Sequence, residues 1–191
     1  MTVDLKRLPF ADSVPAKVRR VFAQAVLLHE ESRVERAVDR VAVRMTVDMQ
    51  DQNPLLINVL PAGFVFAGML LRRLVFPLQF VSISLLPSAE VDASQQICES
   101  LHQRDVVLVD GQYIPQRSAH LQDWATKAGA ASIRKAFLVA PDTLRNDGAD
   151  YIALVNEGES GDGAELLGCG LDYQGYGANL PGIYAIGGSR S

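Results

Sequence analysis

Cysteine is nearly absent. The 191 residues hold two, Cys98 and Cys169, too few and too isolated for a disulfide framework or a zinc site. The three histidines, His29, His102 and His120, show no metal-ligand spacing and read as surface residues. No apolar run approaches the ~18 residues of a membrane-spanning helix. The opening MTVDLKRLPFADS has no apolar h-region, so no secretory signal is read. Basic charge is not in excess either. A formal net charge of −4 argues against a general nucleic-acid or membrane-surface binder. The expectation is a cytoplasmic protein with free thiols.

What is present is core. Apolar residues make up 48% of the chain and charged residues 21%, which suits a soluble globular protein. The length sets one domain as the default, with room for a small subdomain. The chain is organised around Leu55–Leu74, LLINVLPAGFVFAGMLLRRL. Leu55–Leu60 is a near-continuous apolar run of strand length, as expected of a buried parallel strand. Pro61-Ala62-Gly63 breaks it, and Phe64, Ala67, Gly68, Leu71 and Leu74 follow at helical spacing. Strand, small-residue loop and helix together place backbone N–H groups at a strand end, a common anion site. The same pattern also opens any α/β domain, and both readings stand at this point.

Before that unit, Ala16–Leu28 reads as a helix with Val18, Val21, Phe22, Ala25 and Val26 inward. Glu31–Met49 is a stronger helix, with Val34, Ala37, Val38, Val41 and Met45 on one face. After it, Leu78–Ser84 alternates as a strand, with Phe80, Ser82 and Ser84 on one side and Val81 and Ile83 on the other. Pro87–Arg104 shows no clear strand and reads as a loop with a short helix at Ser94–Leu101. Val106–Val109 is a second buried strand, running into a loop Asp110–Ser118, with Ser118 as the cap of the next helix. That helix carries Leu121, Trp124, Ala125 and Ala128 and stops at Gly129. Ile133–Val139, Tyr151–Val155, Leu166–Gly168 and Gly182–Ile186 are the remaining strands. Glu157–Gly163, EGESGDG, reads as a flexible acidic loop and Leu171–Pro181 as a tyrosine- and glycine-rich one. Strands alternate with helices, so the class is α/β with a mainly parallel sheet.

Three of these pieces, in this order, resemble the hypoxanthine/guanine phosphoribosyltransferases. They are Asn53–Leu74, the strand Val106–Asp110 with its loop and helix, and Gly168–Pro181, GCGLDYQGYGANLP. In the last, GxGLDY followed by NLP is close to the family's C-terminal motif. With Ala149-Asp150-Tyr151 ahead of it, the resemblance covers roughly residues 30–186. It implies a type I phosphoribosyltransferase fold, with a mainly parallel sheet flanked by helices and a small hood subdomain. The whole of 1–191 is then one such domain, with 1–28 as an N-terminal extension and the hood drawn mainly from 150–186. The implied reaction joins a purine base to phosphoribosyl pyrophosphate (PRPP), giving a nucleoside monophosphate and pyrophosphate with magnesium on the PRPP. A purine nucleotide or other phosphorylated ligand, and a homodimer or homotetramer, are the implied partners.

Carried over residue by residue, the family's site is largely replaced. In the PRPP loop, Asp110 keeps the first of two adjacent acids and Gly111 replaces the second. Gln112 and Tyr113 follow. The aspartate thought to assist proton transfer at the base is Ile114. The Thr-Gly turn around the phosphate is Pro115-Gln116. Pro115 has no N–H, and Gln116 resists the positive φ that glycine accepts. Arg117 offers a phosphate partner, and Ser118 keeps a hydroxyl where the family has threonine. The pyrophosphate loop, usually Leu-Lys-Gly, is Leu60-Pro61-Ala62, followed by Gly63. The lysine that reads the purine oxygen falls at about Ala140. The aromatic that stacks on the base falls at Glu165, next to Leu166. The C-terminal arginine falls at Ala178, and the Ser-Tyr of the mobile loop reads Ser84-Leu85. Asp172, which approaches the metal–pyrophosphate, is retained.

Family members often hold the peptide before the loop lysine cis. Proline lowers the cost of a cis bond to about 0.5–1 kcal/mol, so a cis Leu60–Pro61 bond is expected; a trans proline at the first position of the helix is the alternative. These changes touch the acid, the phosphate cradle, the pyrophosphate donors and the purine clamp together. The resulting expectation is a non-catalytic member that binds a ligand or partner. A working purine phosphoribosyltransferase with an altered site, needing magnesium, and a purely structural subunit are the alternatives. The retained residues also have plainer readings. Asp110 reads as a turn cap, Asp172 as a partner for its own loop, Arg117 as solvated, and Tyr113, Tyr173 and Tyr176 as packing groups.

Overall fold

Short apolar runs between breakers become strands, and the amphipathic stretches between them become helices. A computed structural model describes residues 13–85, 91–145, 148–156 and 165–186. In chain order the elements are α1 (Ala16–Gln24), β1 (Val26–His29), α2 (Glu31–Met49), β2 (Leu55–Leu60), α3 (Phe64–Leu71), β3 (Gln79–Leu85), β4 (Val91–Asp92) and α4 (Gln95–Leu101). They continue with β5 (Asp105–Gln112), α5 (Pro115–Lys127), β6 (Ser132–Pro141), a 3-10 turn at Asp142–Arg145, β7 (Tyr151–Asn156), β8 (Glu165–Leu167) and β9 (Ile183–Ile186). The chain divides into two compact units, Ala37–Glu157 on the one hand and Met1–Arg36 with Gly158–Ser191 on the other.

The larger unit is built on a six-stranded sheet in the order β4-β3-β2-β5-β6-β7. Every pairing is parallel except β3 with β4. Leu55, Ile57, Val59, Ile83, Val106 and Leu108 bury one face of this sheet against Leu101 of α4 and Leu121 and Ala125 of α5. Period-2 alternation sends Leu56, Val107 and Val109, also buried, to the opposite face. With both faces covered, the strands read as continuous apolar runs, which is why β2 was legible as a buried parallel strand.

The smaller unit holds a three-stranded antiparallel sheet in the order β1-β9-β8. Val18 and Phe22 of α1 pack there with Leu167, Leu180 and Tyr184. Tyr151–Asn156, within the span expected for the hood, lies in the six-stranded sheet, and Val26–His29 pairs with β9 in the small one. Among the described residues no helix is long and apolar enough to cross a membrane.

Four expectations need correction. The helix expected over Ala16–Leu28 stops at Gln24, because Ala25 is extended and Val26–His29 takes up a strand partner far along the chain. Apolar spacing could not separate the two outcomes, since pairing with β9 is a tertiary event. α3 ends at Leu71 and buries Phe66, Ala67 and Leu70, leaving Phe64 65% exposed. The stretch is apolar on all sides, so periodicity held no contrast from which to choose a face. The two-residue strand β4 was too short to leave a signal. The loop expected over Asp110–Ser118 shrinks to Tyr113-Ile114, because β5 continues through Gln112 and α5 begins at Pro115. Ser118 is therefore a buried residue inside the first turn of α5, not its cap. The acidic loop Glu157–Gly163 lies outside the described residues.

Candidate functional site

Two strand-to-helix connections leave the C-terminal ends of neighbouring parallel strands, where α/β sheets carry their ligands. The first joins β2 to α3 through Pro61-Ala62-Gly63. The Leu60–Pro61 bond is cis, as the family resemblance implied. Gly63 sits where a side chain has no room: a Cβ there would lie 2.6 Å from the Val109 carbonyl oxygen, 2.7 Å from Asn58 Oδ1 and 2.8 Å from the Val59 carbonyl oxygen. Two of the connection's N–H groups turn inward. Gly63 N–H donates to the Val59 carbonyl at 2.8 Å, and Phe64 N–H to the Pro61 carbonyl at 3.2 Å. Pro61 has no N–H to add. Below the loop Asn58 is fully buried and donates from Nδ2 to Ser82 Oγ at 3.1 Å. Its one signal in the sequence was a polar residue inside an apolar run.

The second connection joins β5 to α5. Asp110 lies near the end of β5, 3% exposed. Arg117, on the first turns of α5, clamps it. Arg117 Nε donates to Asp110 Oδ2 at 2.7 Å and Nη2 to Oδ1 at 3.0 Å, while Nη2 also donates to the Gln112 carbonyl at 2.8 Å. Gly111 N–H donates to Oδ1 at 2.7 Å. This is the two-pronged geometry in which guanidinium and carboxylate pair best. Burial pushes the Asp110 carboxyl up from its ordinary value; the Arg117 charge and the hydrogen bonds from Arg117, Gly111 and Gln112 pull the other way. The pair links two residues seven apart across a strand–helix turn, a spacing with no local pattern to announce it.

Two further N–H groups of the connection are satisfied from within. Tyr113 N–H donates to the Val139 carbonyl at 3.0 Å, and its ring meets Phe137 edge to face at 5.4 Å. Ser118 N–H donates to the Ile114 carbonyl at 2.9 Å. Pro115 occupies the first helical position, where its missing N–H costs nothing. Ile114 is 38% exposed and Gln116 is exposed. A phosphate cradle needs successive N–H groups aimed at one point; here the Gly111, Tyr113 and Ser118 N–H groups aim at three separate internal acceptors. A magnesium–PRPP complex at this strand end would meet an Asp110 whose two oxygens both accept from Arg117.

The remaining positions fall in both units. Ala140 is buried in β6, its register partner Val155 in β7. Ser84, next to last in β3, is opposite Asp92, with Oγ to Asp92 Oδ2 at 3.5 Å, and Leu85 is opposite Val91. In the smaller unit, Glu165 is exposed and Leu166 buried on β8. Asp172 is exposed, and its Oδ1 accepts the Gly175 N–H at 2.6 Å, so it closes its own loop. The Ala178 carbonyl accepts the Gly170 N–H. Tyr173 lies under Lys17 Nζ, 5.9 Å from the ring centre, and pairs with Tyr176 across a tight bridge. The turn that begins this motif needs Gly168, whose φ is +100° and whose added Cβ would lie 1.8 Å from the Gly182 carbonyl oxygen. Among the described residues no group of three or more His, Cys, Asp or Glu is placed to hold a metal ion.

No family model matches the chain. A bifunctional protein TilS/HprT of Listeria innocua is 27% identical over 170 residues, covering 84% of this chain and 25% of that protein. The chain thus spans about a quarter of the length of the curated relative it matches. Among solved structures, a hypoxanthine-guanine phosphoribosyltransferase of Bacillus anthracis superposes with a TM-score of 0.71 at 20% identity, covering 84% of this chain and 96% of that one. A hypoxanthine phosphoribosyltransferase of Staphylococcus aureus gives 0.72 at 17% identity, covering 84% and 92%. The HGPRT-ase of Leishmania tarentolae in complex with GMP gives 0.70 at 21% identity, covering 85% and 97%. The chain therefore has the type I phosphoribosyltransferase fold, in the form that the hypoxanthine-guanine phosphoribosyltransferases carry.

Proposed function

We propose that this chain is a purine-phosphoribosyltransferase homologue that has given up nucleotide synthesis and acts by binding. The observation that carries the reading is the Asp110–Arg117 clamp. An internal guanidinium holds the carboxylate at the strand end where, by the family resemblance, PRPP would be received. Ile114 offers no proton acceptor at the base, and Ala140 offers no ammonium to a purine oxygen. Transition-state stabilisation in such transfers comes mostly from placed charges and donors, and a single lost donor costs about 3 kcal/mol of it. Several losses together leave negligible turnover.

The test is nucleotide formation from PRPP and hypoxanthine or guanine, with magnesium, followed by chromatography. No product is expected from the unmodified protein. None is expected from Ile114→Asp either, because the pyrophosphate donors and the purine lysine are still missing. Turnover at the level of an ordinary family member would overturn the reading.

A further inference from the structure

A concavity lies in the larger unit, away from both connections. Its cavity of about 320 Å³ is lined by Arg40, Val41 and Arg44 of α2 and by the run from Ala149 to Ala153 that leads into β7. β7 is the edge strand of the six-stranded sheet, two strands from β5. Among the described residues it pairs with β6 alone, and an edge strand leaves alternate N–H and C=O groups without a ladder partner. Arg40 and Arg44 stand four residues apart and so project from one face of the helix.

The charges around the cavity are unevenly committed. Tyr151 is 1% exposed; its hydroxyl donates to Asp48 Oδ2 at 3.0 Å, and the same carboxylate oxygen lies 3.8 Å from Arg44 Nε. The Arg44 guanidinium also lies over the Tyr151 ring, 5.6 Å from its centre. That stacking favours a placement of the Arg44 guanidinium at the cavity wall. Asp150, the one acid among the lining residues, accepts the Lys135 N–H at Oδ2 at 2.8 Å. Arg40 alone has no hydrogen-bond or ion-pair partner among the described residues. The cavity thus offers the Arg44 guanidinium, stacked on the Tyr151 ring, and the Arg40 guanidinium, uncommitted among the described residues. Its volume is at the small end of metabolite sites.

We propose that this cavity is an oxyanion site, receiving one phosphate or carboxylate group of a small molecule between Arg40 and Arg44. Guanidinium forks match the planar or tetrahedral oxygens of both groups, and two forks on one helix face set the orientation. The proposal goes beyond the reading above and does not depend on whether nucleotide synthesis persists.

Calorimetric titration of the whole protein with inorganic phosphate, and separately with succinate, tests it at constant ionic strength. Saturable binding of at least one of the two is expected. The affinity should weaken about tenfold in Arg40→Gln, the loss expected for one charge-assisted contact. Arg40 has no hydrogen-bond or ion-pair partner to lose among the described residues, so this variant should melt at the temperature of the parent protein. Arg44→Gln should weaken binding as well, and the double variant should abolish it. Preference for phosphate would assign the site to phosphate esters, and preference for succinate to carboxylates. No saturable binding of either, or equal binding by the double variant, would overturn the proposal.

Discussion

The connections that follow β2 and β5 leave neighbouring strands of one sheet at the same end, yet they are held by different forces. The β2–α3 turn is held by packing. Gly63 is wedged against the Val109 and Val59 carbonyls and Asn58, and no charged group takes part. The β5–α5 turn is held by charge, through a buried carboxylate and the guanidinium that grips it. In both, several N–H groups, those of Gly63 and Phe64 in the first and of Gly111, Tyr113 and Ser118 in the second, point to internal acceptors. A strand–helix turn can therefore keep its place in a fold with several of its donors facing inward, because the sheet and helices need the turn only for its path. What the comparison separates is architecture, fixed by close approach at Gly63, from chemistry, which Asp110 and Arg117 now spend on each other.

The largest effect should come from filling the packed turn. Gly63→Ala pushes a methyl group into two backbone carbonyls, which cannot swing aside as a side-chain tip would. A loss of about 4 kcal/mol in urea unfolding is expected, at the upper end for overpacking. A loss under 1 kcal/mol would mean that the turn is not held by close approach.

The charged turn should break differently. Arg117→Met strands the Asp110 carboxylate in the interior, and a loss of about 3 kcal/mol is expected at pH 8. Asp110 already has its carboxyl raised by burial, and removing Arg117 takes away the main opposing influence. The native state then holds a proton that the unfolded chain has released, across the window from the ordinary carboxylate value upward. Stability should fall as pH rises through that window and recover on acidification. Unfolding curves of the variant that keep the same deficit at pH 5 and pH 8 would contradict the assignment.

Gly68, one turn into α3, sharpens the contrast from the other side. Its added Cβ would touch nothing within 4 Å. Gly68→Ala should raise stability by about 0.5–1 kcal/mol through helix propensity alone. The same substitution five residues apart thus carries opposite signs, and a melting curve for each variant checks it.

The smallest expected effect concerns the two thiols. Burial, with Glu35 and Glu31 nearby, pushes the Cys169 thiol up to about 12, and its Sγ lies 3.2 Å from the Pro181 carbonyl oxygen. Cys98 is half-buried. Only the thiolate attacks, so at pH 8 Ellman's reagent should titrate one thiol in the native protein and two after denaturation. Two reacting in the native state would show that the Gly168–Leu171 turn opens.

The fold was legible because its core strands are apolar on both faces and its strongest helix, Glu31–Met49, shows a clean stripe. The boundaries that failed were decided by tertiary partners. Val26–His29 is a strand because β9 lies beside it, and α3 chose Phe66 over Phe64 from a stretch without polar contrast. At the site, the departures from the family's pattern were plain at Ile114, Pro115-Gln116, Pro61 and Ala140. What was not legible is how Asp110 and Arg117 are arranged. The sequence showed Asp110 and Arg117 as two residues still open to a ligand, and the structure shows them bound to each other. A one-turn extension of α5 toward its N-terminus, from Ser118 to Pro115, brings Arg117 onto the helix that makes this contact. Nothing in local propensity requires it.

The central claim is that the β5–α5 turn is closed to PRPP, and calorimetric titration with magnesium–PRPP tests it most directly. The account predicts no saturable heat up to millimolar PRPP for the unmodified protein. Micromolar binding that is lost on replacing Asp110 by Asn would contradict it, since the carboxylate would then be serving the ligand and not Arg117.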